Sequence, residues 1–131
     1  MKTKMLLVLL SSLLFGVSST FSIANDLTSL NYEEETKQGI VVVEYWASWN
    51  TQNMVTTLTD LWIKRGKDVK ISRVNICENA DLVTKYNIIV VPTIIFYNEG
   101  KEVKRIEGDL TFTLKITIEE INDIIKEIKN D

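Results

Sequence analysis

The run Ile40-Val41-Val42-Val43-Glu44-Tyr45-Trp46 lacks the polar alternation of a strand with one wet face. Continuous β-branched and aromatic sequence of this kind belongs to a strand covered on both faces. Such a strand needs an apolar layer above and below it, so the chain must place helices on both sides of a central sheet. The single charged residue in the run, Glu44, would be costly to bury unless it is neutral or paired.

The flanking sequence supplies the layers. Asp26 predicts the cap of a helix reaching about Gln38, with Leu27, Leu30 and Tyr32 inward and Gly39 as its stop. After the central run, Met54, Leu58, Leu61 and Trp62 recur at helical spacing, which predicts an amphipathic helix over 50–67. Val69 to Ile76 reads as a strand, Ala80 to Tyr86 as a short helix and Thr93 to Tyr97 as another strand. Asn98-Glu99-Gly100-Lys101 is a turn in which Gly100 supplies a positive φ, and Glu102 to Glu107 pairs back as a hairpin. In 109–116, Phe112, Leu114 and Ile116 alternate with polar residues, as in a short strand or an extended loop. Thr117 to Lys129 closes the chain as a helix with an isoleucine stripe, Thr117 and Glu120 forming a capping box. Early alternation of strand and helix calls for parallel strands, and the late hairpin adds antiparallel ones. The expected class is α/β: a mixed central sheet with helices on both faces.

The amino terminus reads differently. Lys2 and Lys4 precede the apolar stretches Met5 to Leu10 and Leu13 to Val17, and Ser22-Ile23-Ala24 ends on small residues. That is the layout of a secretory signal peptide over 1–24, with cleavage after Ala24 and a folded domain over 25–131. The apolar stretch is short for a spanning helix, so a stable membrane anchor is not expected after cleavage. The domain is then expected to be secreted or periplasmic. Composition narrows the chemistry: with no His and one Cys, neither a His-based triad nor a Cys/His metal cage nor an intramolecular disulfide can form. No metal or cofactor is expected. A formal net charge of -3 argues against nucleic acid as a partner.

Two stretches carry a family resemblance. Trp46-Ala47-Ser48-Trp49, leaving the central strand, resembles the approach to the Cys-x-x-Cys site of the thioredoxin family. Lys85-Tyr86-Asn87-Ile88, Val91-Pro92-Thr93 and Asn98-Glu99-Gly100 are similar to that family's cis-proline segment and following hairpin, and Gly108 matches a glycine after its last strand. The resemblance implies a thioredoxin fold across 25–131. It also directs attention to what differs: this chain reads Asn50-Thr51-Gln52-Asn53 where the family has its two cysteines. Dithiol exchange needs one thiolate to attack and a second thiol to resolve, and a carboxamide does neither. Asn is, however, a good helix N-cap, so Asn50 and Asn53 read as replacements that keep a helix start satisfied. By the same resemblance Glu44 and Arg73 match the family's buried acid and its basic neighbour, and are expected to pair. Cys77 falls where the family usually has an acid. It is expected away from the site rim, as a semi-buried thiol or, less simply, as a partner for another molecule's thiol. The usual proline within the helix after the site is missing, which predicts a straighter helix there.

What the resemblance leaves without thiols is a groove. Trp49, Thr51, Val91, Pro92 and Gly108 match positions across which the family lays an extended peptide, and Pro92, the chain's only proline, is where a cis peptide is expected. Trp49 and Val91 can equally be read as a cap on the core. The expected function is that of an exported, non-catalytic module binding protein or extended peptide segments, or acting as a chaperone. Two alternatives stand beside it: a thiol–disulfide oxidoreductase whose natural form has cysteines at positions 50 and 53 or which relies on a partner's thiols, and a structural subunit of a larger complex.

Overall fold

The structure is a computed structural model and describes residues 25–53 and 69–131. The signal peptide expected over 1–24, and most of the helix expected over 50–67, lie outside the described residues. The strands are β1 (Asn25–Asp26), β2 (Ile40–Trp46), β3 (Val69–Asn75), β4 (Thr93–Asn98) and β5 (Lys101–Glu107). The helices are α1 (Tyr32–Thr36), α2 (Ala80–Lys85) and α3 (Ile118–Asn130), and Ser48–Asn53 adds a 3-10 segment directly after β2.

The uninterrupted apolar run becomes the middle strand of a five-stranded sheet of order β1-β3-β2-β4-β5. β3 runs parallel to both β1 and β2, whereas β4 is antiparallel to β2 and to β5. Period-two geometry then divides β2 between two cores. Ile40 and Val42 join Ile71, Ile94 and Phe96 beneath the Ile121, Ile125 and Ile128 stripe of α3. Val41, Val43 and Tyr45 face the other way, against Leu27, Tyr32 of α1 and Leu82 of α2. Helices therefore cover both faces, as the sequence of the run requires. The cap of α3 forms as its residues dictate: Glu120 N–H donates to the Thr117 hydroxyl at 3.2 Å and Thr117 N–H to the Glu120 carboxylate at 2.7 Å. A cap of this kind contributes about 1 kcal/mol.

All four tyrosines of the chain, 32, 45, 86 and 97, meet on the α1 side. The hydroxyls of Tyr32 and Tyr97 share a hydrogen bond at 2.6 Å, and the Tyr45 hydroxyl is buried beside them. Burial drives all three phenol pKa values upward, with Tyr97 pushed up to about 12.

The hairpin turn is tighter than the sequence suggests. Glu99 as well as Gly100 has a positive φ, 52° and 82°, which gives the two-residue turn a twist matching that of the paired strands. The first helix departs from expectation. Asp26 lies in β1 opposite Arg73 and does not cap α1, whose N-cap position is Asn31, because its backbone is committed to the sheet edge. The chain then turns through Thr28 to Asn31, leaving Leu30 97% exposed rather than inward, and the helix starts only at Tyr32. Gly39, with φ 71°, ends the connection to β2. The stretch 109–116 forms no strand: 109–113 is a compact turn, while Leu114 and Ile116 lean on the α3 core.

Candidate functional site

The site begins where β2 ends. Ala47 is buried, and the next residues fold into two 3-10 turns separated at Asn50, whose φ of −127° and ψ of 33° are non-helical. Asn50 N–H donates to the Ala47 carbonyl at 2.9 Å, which tucks the residue inward; it is 7% exposed. Its carboxamide does not serve solely as a helix cap, since Nδ2 donates to the carbonyl of Phe112 at 3.0 Å. Trp49, its neighbour, points outward at 58% exposed and meets the Phe112 ring edge-on, with centroids 5.1 Å apart. Thr51 is exposed, and Asn53 ends the second turn.

Val91 and Pro92 approach the same place from β4, joined by a cis peptide bond. The Val91 side chain is 2% exposed and belongs to the core with Val43 and Tyr45, which leaves its backbone as the part that faces the loop. Pro92 is buried too. Gly108 N–H donates to the Pro92 carbonyl at 2.8 Å. A Cβ on Gly108 would stand 3.0 Å from that carbonyl oxygen and 3.1 Å from the Thr113 carbonyl oxygen, both backbone atoms that cannot swing aside. The structure thus brings Trp49, Asn50, Pro92 and Gly108 to one face and adds Phe112, which sequence reasoning did not single out. Alternation in 109–116 marked Phe112 as an apolar position, but no local signal ties it to Asn50, 62 residues away in sequence.

Beneath this face, Glu44 and Arg73 stand opposite each other on β2 and β3. Arg73 Nε donates to Glu44 Oε1 at 2.9 Å, the Glu44 side chain fully buried and that of Arg73 14% exposed. Two residues further along β2, the indole N–H of Trp46 is buried with no hydrogen-bond partner among the described residues.

Cys77 overturns the expectation of a semi-buried thiol away from the rim. It is exposed, because the chain has already left β3 at Asn75, and it lies beside Ser48 and Trp49. The Ser48 hydroxyl, followed by the backbone N–H groups of Ser48 and Trp49, holds its pKa below the ordinary cysteine range. As the chain's one cysteine, it has no second thiol to resolve a mixed disulfide. Among the described residues no cluster of three or more His, Cys, Asp or Glu side chains is arranged to hold a metal. A cavity of about 400 Å³ lies at the opposite end of the sheet, against Tyr86, Tyr97 and Gly100, and is not part of this face.

The comparisons with known proteins agree with this layout. The thioredoxin family model matches residues 24–120. The chain is 26% identical over 85 residues to a thioredoxin of Listeria monocytogenes, covering 63% of this chain and 82% of that protein. It is likewise 26% identical over 83 residues to a thioredoxin of Bacillus subtilis, covering 62% and 80%. Among solved structures, a mutant thioredoxin from Halobacterium salinarum superposes with a TM-score of 0.67 at 17% identity, over 80% of this chain and 89% of the other, a likeness of fold. With its sheet order, its cis-proline loop and a family match across most of its length, the chain belongs to the thioredoxin family.

Proposed function

We propose that this protein binds extended polypeptide segments at the face formed by Trp49, Pro92 and Gly108, without dithiol exchange of its own. The observation that carries the reading is Asn50. Where the family resemblance puts an attacking thiol, this chain has a buried carboxamide engaged with the Phe112 carbonyl. Asn53 takes the place of the second thiol, so the pair of sulfurs that the exchange requires is absent from the segment. The exposed aromatic edge of Trp49 remains as an anchor for an apolar segment, with no acidic or basic side chain needed for recognition. The proposed setting is outside the cytosol, since residues 1–24 have the layout of a secretory signal.

The comparisons favour a second reading, thiol–disulfide oxidoreductase, because the relatives named above are thioredoxins. In this reading the natural protein carries cysteines at positions 50 and 53, or exchange runs through a partner's thiols. Glu44 and Arg73, paired beneath the face, support it as a retained framework. Insulin reduction separates the two. The chain as written should show no turnover, whereas Asn50→Cys combined with Asn53→Cys should create it if the framework still serves. Turnover by the unaltered chain would overturn the first reading. For binding itself, Trp49 fluorescence should respond to S-carboxymethylated insulin B chain, an extended polypeptide without free thiols, and Trp49→Ala should abolish the complex as read by titration calorimetry.

A further inference from the structure

The turn after Gly108 is built to be a unit. Asp109 Oδ1 accepts from the Thr111 N–H at 2.8 Å, the Thr111 hydroxyl at 2.5 Å and the Thr113 N–H at 3.2 Å. Backbone bonds from Asp109 N–H to the Thr113 carbonyl at 2.9 Å, and from Phe112 N–H to the Asp109 carbonyl at 3.0 Å, close it on itself. The unit is anchored beside the cis-proline loop: Gly108, which leads into it, is bonded to the Pro92 carbonyl, and a Cβ on Gly108 would meet both that carbonyl and the Thr113 carbonyl. Within it Phe112 has φ 60°, a left-handed conformation that bulky residues avoid. Such conformations persist where surrounding contacts impose them. Here the contacts are the Asn50 carboxamide on the Phe112 carbonyl at 3.0 Å and the Trp49 ring against the Phe112 ring.

We propose that residues 109–113 form a strap over Pro92 that gates the Trp49 face, and that Asn50 is the latch holding it shut. The proposal rests on the polypeptide-binding reading above. An incoming segment must lift Phe112 off Trp49 to reach the cis-proline loop, and it does so at the cost of the Asn50 bond. The chemistry of the latch explains why a carboxamide suits this position. It needs an N–H donor aimed at a carbonyl; a thiol donates weakly and a carboxylate cannot donate at all. Asn50 is therefore a positioning residue, one that sets how often the face is open.

Amide hydrogen exchange of the full chain, read over 109–113 with no peptide present, tests the latch. Asn50→Asp and Asn50→Ala should speed exchange there roughly fivefold, the effect of losing one net hydrogen bond, and leave β2 and β4 unchanged. Unchanged protection in folded variants overturns the proposal. If neither variant folds, the native chain decides: the Asn50 side-chain amide protons should show an NMR contact to the Phe112 Hα, and its absence overturns the latch. S-carboxymethylated insulin B chain then tests the gate. Apparent affinity scales with the open fraction, so Asn50→Ala should bind it tighter by the same factor by which the strap opens. Faster exchange with unchanged affinity would mean the strap does not gate. No binding by either chain, with exchange altered as expected, would remove the polypeptide-binding reading while leaving the latch in place.

Discussion

Replacing Arg73 by methionine should destabilise the fold far more than the loss of one partly exposed arginine suggests. Glu44 sits in the middle strand with a fully buried side chain, and Arg73 Nε lies 2.9 Å from its Oε1. Removing one partner of a buried ion pair costs about 3 to 5 kcal/mol; the 14% exposure of Arg73 admits some water and places the expectation near 3. For a domain of this size that loss corresponds to a fall in Tm of roughly 12 to 20 °C. Glu44→Leu combined with Arg73→Met removes both charges, fills the space with apolar groups and should restore stability to within about 1 kcal/mol of the native chain. Urea unfolding followed by circular dichroism gives the midpoints, read at unchanged m. An Arg73→Met loss below about 1 kcal/mol, or a double variant no more stable than the single one, would refute the view that the pair offsets the burial of Glu44.

Cys77 should react with iodoacetamide along a pH profile whose midpoint lies below the ordinary cysteine value of about 8.5, and Ser48→Ala should move that midpoint upward. An unmoved midpoint would remove Ser48 as the cause. The tyrosine cluster predicts an alkaline limit: burial raises the folded phenol pKa values, so the folded state holds more protons than the unfolded one. Stability should be full below about 10 and fall as pH rises toward the Tyr97 value of about 12, as tyrosinate absorbance and thermal melts can follow together. Gly108→Ala should cost about 1 to 3 kcal/mol, since the added methyl meets two backbone carbonyls. A neutral Gly108→Ala melt would show that the strap can shift without penalty.

Much of the architecture is legible in the sequence because its signals are local and periodic. The unbroken run Ile40–Trp46 demands cover on both faces, and the isoleucine spacing of α3 with its Thr117 and Glu120 box defines a helix without tertiary help. The first helix is misread for the opposite reason. Asp26 is a good cap residue, but its backbone is claimed by pairing with β3, a contact between segments far apart in sequence. Leu30 shows that an apolar residue at helical spacing need not be buried when the helix starts after it. The site divides in the same way. Trp49, Asn50 and Pro92 can be found from short motifs, whereas the bond from Asn50 to Phe112 and the nearness of Cys77 to Ser48 depend on how loops fold back over the sheet.

The position of Glu44 bears on how the chain finds one pairing rather than another. Ile40, Val41, Val42 and Val43 are nearly interchangeable in size and hydrophobicity, so a slip of one residue against β3 would bury much the same apolar area. It would, however, turn Glu44 toward the tyrosine side and separate it from Arg73. The ion pair is expected to act as a registration mark in an otherwise uniform strand, bearing more on which alignment β2 and β3 accept than on how tightly they associate.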